Sequence, residues 1–327
     1  MKIIIFFFTN FICIFLFLFN IAIGDDFEIP ANLGQKNFDY KAIDYFLSSG
    51  QKGVLTAFKA EPEMHGSALQ SSFYIVHNTF RAEWLIVNKT EEPLKLQILS
   101  LLDYKQMYFY LDGNWAKKHP LFLSPDQRKI VKIVLPEIDN GAHDFIIIAA
   151  DVFNKELPEG PGQRHLFNHR ANIFIGSRKF PKKDVQLVGS IPPIDNLKFS
   201  VWFDQNESVS LNSNPQPLKF SRTLSKHFLH VNNTLQTNLD FVLLAFRNID
   251  QIPIMSAKNQ DIVFFSIAGK QADSIPVSVD TKKFLNSDEF MLLFIENPFL
   301  NLESQQGVMV QLPTRVRVVS RNKVRFD

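Results

Sequence analysis

The chain has 327 residues, a formal net charge of +2 and 46% apolar residues. The near-balanced charge removes the general electrostatic case for nucleic acid or an anionic membrane as partner, and the length is enough for two packed cores. Cys13 is the only cysteine, so the chain beyond it has no disulfide framework, thiol nucleophile or cysteine metal site.

Residues 1–24 read as a signal peptide. Met1-Lys2 gives a positive start, Ile3 to Ile23 is almost unbroken apolar sequence, and Ala22-Ile23-Gly24 supplies small residues ahead of Asp25-Asp26. Phe11-Ile12 before Cys13 are not the small residues expected before a lipid-modified cysteine. An uncleaved anchor is the alternative, because the run approaches the ~20 residues that span a bilayer. Cleavage after Gly24 implies a secreted, periplasmic or cell-surface protein with no membrane insertion. Export without disulfides is more typical of bacterial proteins than of small animal ectodomains. Residues 25–50 form an N-terminal extension. Within it Tyr40, Ile43, Phe46 and Leu47 fit one helical stripe before Gly50, which predicts a short lead-in helix over Phe38 to Ser48.

The rest reads as strands, rich in Val, Ile, Phe, Leu and Thr and punctuated by Asn, Gly, Pro and Asp. Strands are predicted at Val54–Lys59, Ser72–His77, Ala82–Val87, Leu94–Leu101, Met107–Leu111, Lys129–Leu135, Asp144–Val152 and Ala171–Ser177. A second series covers Lys198–Phe203, Leu218–Ser221, His227–Val231, Asp240–Arg247, Ile262–Ile267, Ser274–Val279, Phe290–Ile295 and Arg315–Val319. Phe145 to Ala150 and Phe290 to Ile295 are continuously apolar, as central strands buried on both faces would be.

The two series repeat one plan at a spacing of 144 or 145 positions. Val87-Asn88-Lys89-Thr90 returns as Val231-Asn232-Asn233-Thr234, and Asp144 to Ile148 returns as Glu289 to Leu293. Leu55 to Phe58 returns as Phe199 to Trp202, Trp84 as Phe228, and Gly162 with Arg170-Ala171-Asn172-Ile173 as Gly307 with Arg315-Val316-Arg317-Val318. A unit of this size is a domain rather than a solenoid repeat. The reading is two tandem antiparallel β-sandwiches, residues 51–190 and 191–327, joined by Val188-Gly189-Ser190-Ile191-Pro192-Pro193, whose prolines stiffen the connection.

Candidate chemistry is sparse. His165 and His169 share a strand face but lack a third ligand, and His227 and His230 fall on opposite faces. No nucleophile elbow, phosphate-cradling glycine loop or HExxH helix is present. No cofactor is expected. The sequons at Asn88, Asn206 and Asn232 are glycan sites in a eukaryotic host, and the Val-Asn-x-Thr pair otherwise reads as turn chemistry. The loop before the last strand of each module, Asn154 to Gln163 and Asn297 to Gly307, is longer than a tight hairpin needs. This marks Glu159, Gly160, Phe299 and Leu300 as binding candidates, although Phe299 and Leu300 could instead fold back on the core. Arg315, Arg317, Arg321, Lys323 and Arg325 share one parity. They form either a solvated face or an anionic docking strip.

Val87-Asn88-Lys89-Thr90-Glu91-Glu92-Pro93-Leu94-Lys95-Leu96-Gln97, followed by Leu123-Ser124-Pro125-Asp126-Gln127, is similar to bacterial immunoglobulin-like domains. It resembles the first domain of periplasmic pilus chaperones and the secreted WxL-interacting surface proteins. The resemblance covers most of the first module and implies immunoglobulin-like sandwiches. It also implies a basic residue near the end of the first domain that anchors a partner carboxylate, with Arg170, Arg178 and Lys179 as candidates. The expected protein is non-catalytic and binds another envelope or extracellular protein, or a surface glycan, through end loops or edge strands. A chaperone that caps exposed strands of export substrates is the runner-up, and a hydrolase with an unrecognised carboxylate site the third.

Overall fold

The computed structural model describes residue 48 and residues 53–60, 65–66, 72–75, 78–151, 166–194, 201–205, 220–221, 224–255, 262–302, 316–324 and 326. The signal peptide, and the lead-in helix apart from Ser48, lie outside the described residues. Among those residues no helix is long and apolar enough to cross a membrane.

In chain order the first module contributes β1 (Val54–Ala60), β2 (His65–Gly66), β3 (Ser72–Ile75), β4 (Arg81–Asn88), β5 (Leu94–Leu102) and β6 (Lys105–Gln106). These are followed by β7 (Phe109–Leu111), β8 (Asn114–Ala116), β9 (Lys118–Leu123), β10 (Arg128–Val134), β11 (Gly141–Asp151) and β12 (Leu166–Ile175). Next come β13 (Val185–Val188), β14 (Val201–Asp204), β15 (Leu224–Asn233), β16 (Leu239–Arg247) and β17 (Asp250–Ile252). The chain closes with β18 (Ile254–Met255), β19 (Val263–Ile267), β20 (Gln271–Asp280), β21 (Glu289–Glu296) and β22 (Val316–Lys323).

These strands make four sheets. Sheet A has the order β1-β4-β10-β7-β8, and sheet B has β2-β3-β12-β11-β5-β6 with β9 also on β5. Sheet C has the order β13-β19-β16-β21-β22 with β17 on β16, and sheet D has β14-β15-β20-β18. Neighbours are antiparallel except β3 on β12 and β13 on β19. The protein is therefore all-β, two immunoglobulin-like sandwiches in tandem. β13 precedes the expected boundary at residue 191 yet pairs in the second sandwich. Two long strand runs went unpredicted: β9, where Pro120 disguises an edge strand, and β13 in the linker.

Side-chain alternation fills each sandwich. Ala82, Trp84 and Ile86 of β4 and Val131 and Ile133 of β10 meet Leu94, Leu96, Ile98, Phe145 and Ile147 of sheet B. The second core repeats this with Leu229, Val231, Phe241, Leu243, Leu292 and Phe294. A third core lies between the modules. The opposite faces of β5 and β11 (Leu99, Leu101, Ile146, Ile148) pack on those of β16 and β21 (Val242, Leu244, Met291, Leu293, Ile295), all fully buried or nearly so. The layers thus run A, B, C, D, and sheets B and C have no wet face where they meet. This is why β11 and β21 are apolar at every position in their centres.

The modules meet about an approximate two-fold axis. The Gln106 amide donates to Gln251 Oε1 at 2.6 Å, and the Gln251 amide donates to Gln106 Oε1 at 2.7 Å. Gln106 Nε2 donates to the Ile249 carbonyl at 3.0 Å, and Gln251 Nε2 to the Tyr104 carbonyl at 2.8 Å. Such reciprocity is the mark of an isologous contact. The turns beside it also match. Asp103 and Tyr104 (φ 50° and 69°) correspond to Asn248 and Ile249 (φ 49° and 69°). Asp103 Oδ1 accepts from the Asp144 amide, as Asn248 Oδ1 does from Glu289.

This symmetry corrects the alignment of the repeat. Asn88 Nδ2 donates to the carbonyls of Glu92, Leu123 and Ser124, and Asn233 Nδ2 to those of Thr237, Ile267 and Ala268. Asn88 therefore corresponds to Asn233, not Asn232, and works through its side chain rather than through a left-handed backbone. Trp84 corresponds to Leu229 and Phe58 to Phe203, both pairs facing their cores. The one-residue slip matters because it turns every side chain of a strand to the other face.

Candidate functional site

Arg170 is an internal strut, not an exposed anchor. β12 places it opposite Ile146, next to Asp144 on β11, and the pair is sealed between the modules with Asp144 fully buried. Arg170 Nε donates to Asp144 Oδ1 at 2.9 Å and Nη2 to Oδ2 at 2.5 Å. Its remaining donors hold the carbonyls of Glu296 at 2.7 Å and Asn297 at 2.6 Å, across the module boundary. The Tyr104 hydroxyl donates to Asp144 and accepts from the Phe299 amide. Burial first, and then the Asp144 charge, push the Tyr104 phenol well above its usual range. Burial opposes the charge on Arg170, but Asp144 outweighs it and keeps the guanidinium protonated.

The other expected binding residues disperse. Phe299 folds back, its ring centroid 5.1 Å from Tyr104, 5.7 Å from Phe180 and 5.8 Å from Phe264. Leu300 is half-buried and its amide closes a turn on Asn297. The Arg178 guanidinium lies over the Tyr74 ring at 5.1 Å, whereas Lys179 is exposed. Arg317 pairs with Glu296 at 2.6 Å. The register shift between Leu292 and Leu293 breaks the parity of the basic tail. Arg317 sits opposite Phe294, which faces the second core, while Arg321 sits opposite Met291, which faces the first module. Arg317 and Arg321 therefore do not share one backbone parity. Arg321, not Arg315, is the backbone counterpart of Arg170, because Met291 repeats Ile146. Glu159, Gly160 and Arg315 lie outside the described residues.

The histidines are also packed. His169 stacks on Phe58 at 4.3 Å, and His165 lies outside the described residues. His227 sits in the second core between Phe203 and Phe220, where burial lowers its pKa to about 4 despite the charge of Asp204. His230 faces the other way. Its Nδ1 meets Ser274 Oγ at 2.8 Å, its Nε2 meets Asp204 Oδ1 at 3.1 Å, and Trp202 stacks on the ring. These are the residue types of a nucleophilic relay, but the imidazole is fully buried under Trp202 and ties three adjacent strands together. Among the described residues no group of three or more His, Cys, Asp or Glu could hold a metal ion. A cleft of about 500 Å³ lies along β13, lined by Val188, Gly189, Gln271 and Asp273. The Asp273 carboxylate there is already taken up by the Gly189 amide and the Ser190 hydroxyl.

Among the described residues, Leu187, Leu235 and Leu285 are exposed aliphatic side chains of the second module, whereas exposed aromatic rings stand together on the hairpin of β7 and β8. Asp112-Gly113 forms its two-residue turn, with φ 46° and 106°, the dipeptide that suits a tight hairpin. Phe109 and Leu111 point into the core, so Tyr108 and Tyr110 point outward. Opposite them stand Lys117 and Trp115. Trp115 is 53% exposed and Tyr108 57%, with the Tyr110 and Trp115 centroids 5.8 Å apart and Lys117 Nζ 5.4 Å from the Tyr108 ring. The outward row continues over β10 through Val134, Lys132 and Ile130, the last 43% exposed. The sequence signal for this surface was the Asp-Gly turn flanked by aromatics.

No protein-family model and no curated protein matches the chain. Among solved structures it is similar to a CARDB domain from Pyrococcus furiosus, solved with two metal ions, at 10% identity over 39% of this chain and 94% of that one (TM-score 0.24). It is also similar to a complex of zinc 2-glycoprotein and prolactin inducible protein from human seminal plasma, at 10% identity over 37% and 93% of the two chains (TM-score 0.25). A third similarity is to alpha-2-macroglobulin from Escherichia coli, at 12% identity over 59% of this chain and 23% of that one (TM-score 0.24). These overlaps are partial, and the fold assignment stands on the sheets described above.

Proposed function

We propose that the protein is a non-catalytic binding or adhesion module of the cell exterior, and that its contact surface is the outer face of the β7–β8 hairpin. One observation carries this reading: the aromatic row of exposed Tyr108 and Trp115 with half-buried Tyr110 between them, at a place where the second module has only β18 among the described residues. Amphipathic rings held on a scaffold bind with little loss of side-chain entropy. Of the three basic candidates on which the chaperone-like alternative relies, Arg170 is engaged by Asp144 and Arg178 lies over Tyr74, which leaves Lys179. The test is retention of the full chain on native surface material. Tyr108→Ala with Trp115→Ala should abolish retention without altering the thermal midpoint. Retention unchanged in that double variant refutes the reading.

A further inference from the structure

We infer that the ligand of this face is an acidic polysaccharide, an extended polymer of sugar rings that carry carboxylate or sulfate groups. The inference rests on the proposed binding role and supplies its chemistry. The hairpin end of sheet A's outer face displays exposed rings, while its β1–β4 end, where Leu85 and Val87 pack with Leu55 and Ala57, is buried. Tyr108, Tyr110 and Trp115 each combine an aromatic face, suited to the C–H face of a pyranose, with a polar tip for its hydroxyls.

Charge supplies the second half of the argument. Lys117, Lys132 and Arg128 are exposed on the outer face of sheet A. Two carboxylates on this sheet are paired with lysines: Glu83 with Lys59 at 2.8 Å, and Asp112 at the hairpin tip with Lys129 at 3.0 Å. Lys117, Lys132 and Arg128 thus set three cations beside the rings, on a chain whose total charge is only +2. An anionic ligand is complementary to it, and cations interleaved with rings fit a polymer whose charges alternate with ring faces.

The backbone argues against a polypeptide added as a strand at this edge. In a two-residue hairpin Leu111 and Asn114 form the hydrogen-bonded pair that closes the turn, and Phe109 and Ala116 form the next one. Within β8 only Trp115 then directs both its N–H and its C=O toward the open edge. One residue is too little ladder for strand addition, which draws its affinity from a run of main-chain bonds.

Affinity electrophoresis of the full chain in gels containing alginate, pectate, dextran sulfate, neutral dextran or poly-glutamate tests the proposal. The expected result is retardation by at least one acidic polysaccharide, none by neutral dextran, and a tenfold or greater loss of affinity in Trp115→Ala. Lys117→Gln with Lys132→Gln should weaken binding and flatten its salt dependence. Both variants alter exposed side chains, and an unchanged melting midpoint confirms that they fold. The proposal is overturned if none of the three acidic polysaccharides binds, if Trp115→Ala binds as well as the parent, or if poly-glutamate is retained equally. Should the acidic sugars fail while Trp115→Ala still loses retention on native surface material, the sugar assignment falls and the hairpin remains a binding face.

Discussion

Replacing Arg170 with alanine should destabilise the protein severely without touching the proposed binding face. Three consequences follow from the geometry. Asp144, fully buried, keeps a charge with no guanidinium beside it. The carbonyls of Glu296 and Asn297 lose donors at 2.7 and 2.6 Å. The loop that carries Phe299 loses one of its ties to the first module. Stripping one partner from a buried ion pair costs about 3–5 kcal/mol, and water entering the truncated site recovers part of the lost carbonyl bonding, so the total stays near that range. Urea unfolding followed by tryptophan fluorescence is a suitable assay, since Trp84 reports on the first core and Trp202 on the second module. With a denaturant slope of roughly 2–3 kcal/mol per molar, the midpoint should fall by about 1–2 M. Adding Asp144→Asn to Arg170→Met removes the stranded charge and should restore at least half of the loss. A loss below about 1 kcal/mol for Arg170→Ala would show that the pair is wet or dispensable, and the strut assignment would be wrong.

Two further predictions concern the core and the interface. His227 has a folded pKa of about 4 against 6.5 when unfolded, so the unfolded chain binds more protons between those values. Stability is therefore lost as pH falls through that window, by about 2 kcal/mol at pH 5 relative to pH 7; His227→Leu should lack this component, while His143, where burial lowers the pKa but Asp103 and Asp139 together outweigh it and raise it, titrates alike in both proteins. For Gln106 and Gln251, a double-mutant cycle to alanine should give a coupling energy of about 0.5–3 kcal/mol, and strict additivity would mean that the reciprocal bonds contribute nothing jointly.

The architecture could be read from alternation and from the two apolar runs, because a strand buried on both faces has no polar position to spare. The register of the repeat could not. Val-Asn-Lys-Thr and Val-Asn-Asn-Thr match best at one spacing, whereas the carbonyls gathered by Asn88 and Asn233 fix another. Two of the three carbonyls at each site come from 34 to 36 residues downstream. The sequence offered Arg170 only as an anchor candidate, since the partners that bury it, Asp144 and Tyr104, are 26 and 66 residues away. The clue was Asp144 itself, a carboxylate heading an otherwise apolar run. Loop length overstated Phe299 and Leu300, because the packing of one module on the other decides whether an end loop is free. The hairpin surface escaped notice for the opposite reason. Its turn is short and ordinary, and only the outward parity of Tyr108, Tyr110 and Trp115 distinguishes it.

The central claim, that binding occurs on the outer face of the β7–β8 hairpin, is tested most directly by hydroxyl-radical footprinting of the full chain with and without native surface material. Trp115 and Tyr108 react readily when free, as their 53% and 57% exposures allow. The account predicts that both are protected on binding while exposed Leu187 and Leu285 of the second module stay reactive. Protection confined to the second module, with Trp115 and Tyr108 oxidised as in the unbound protein, would contradict it.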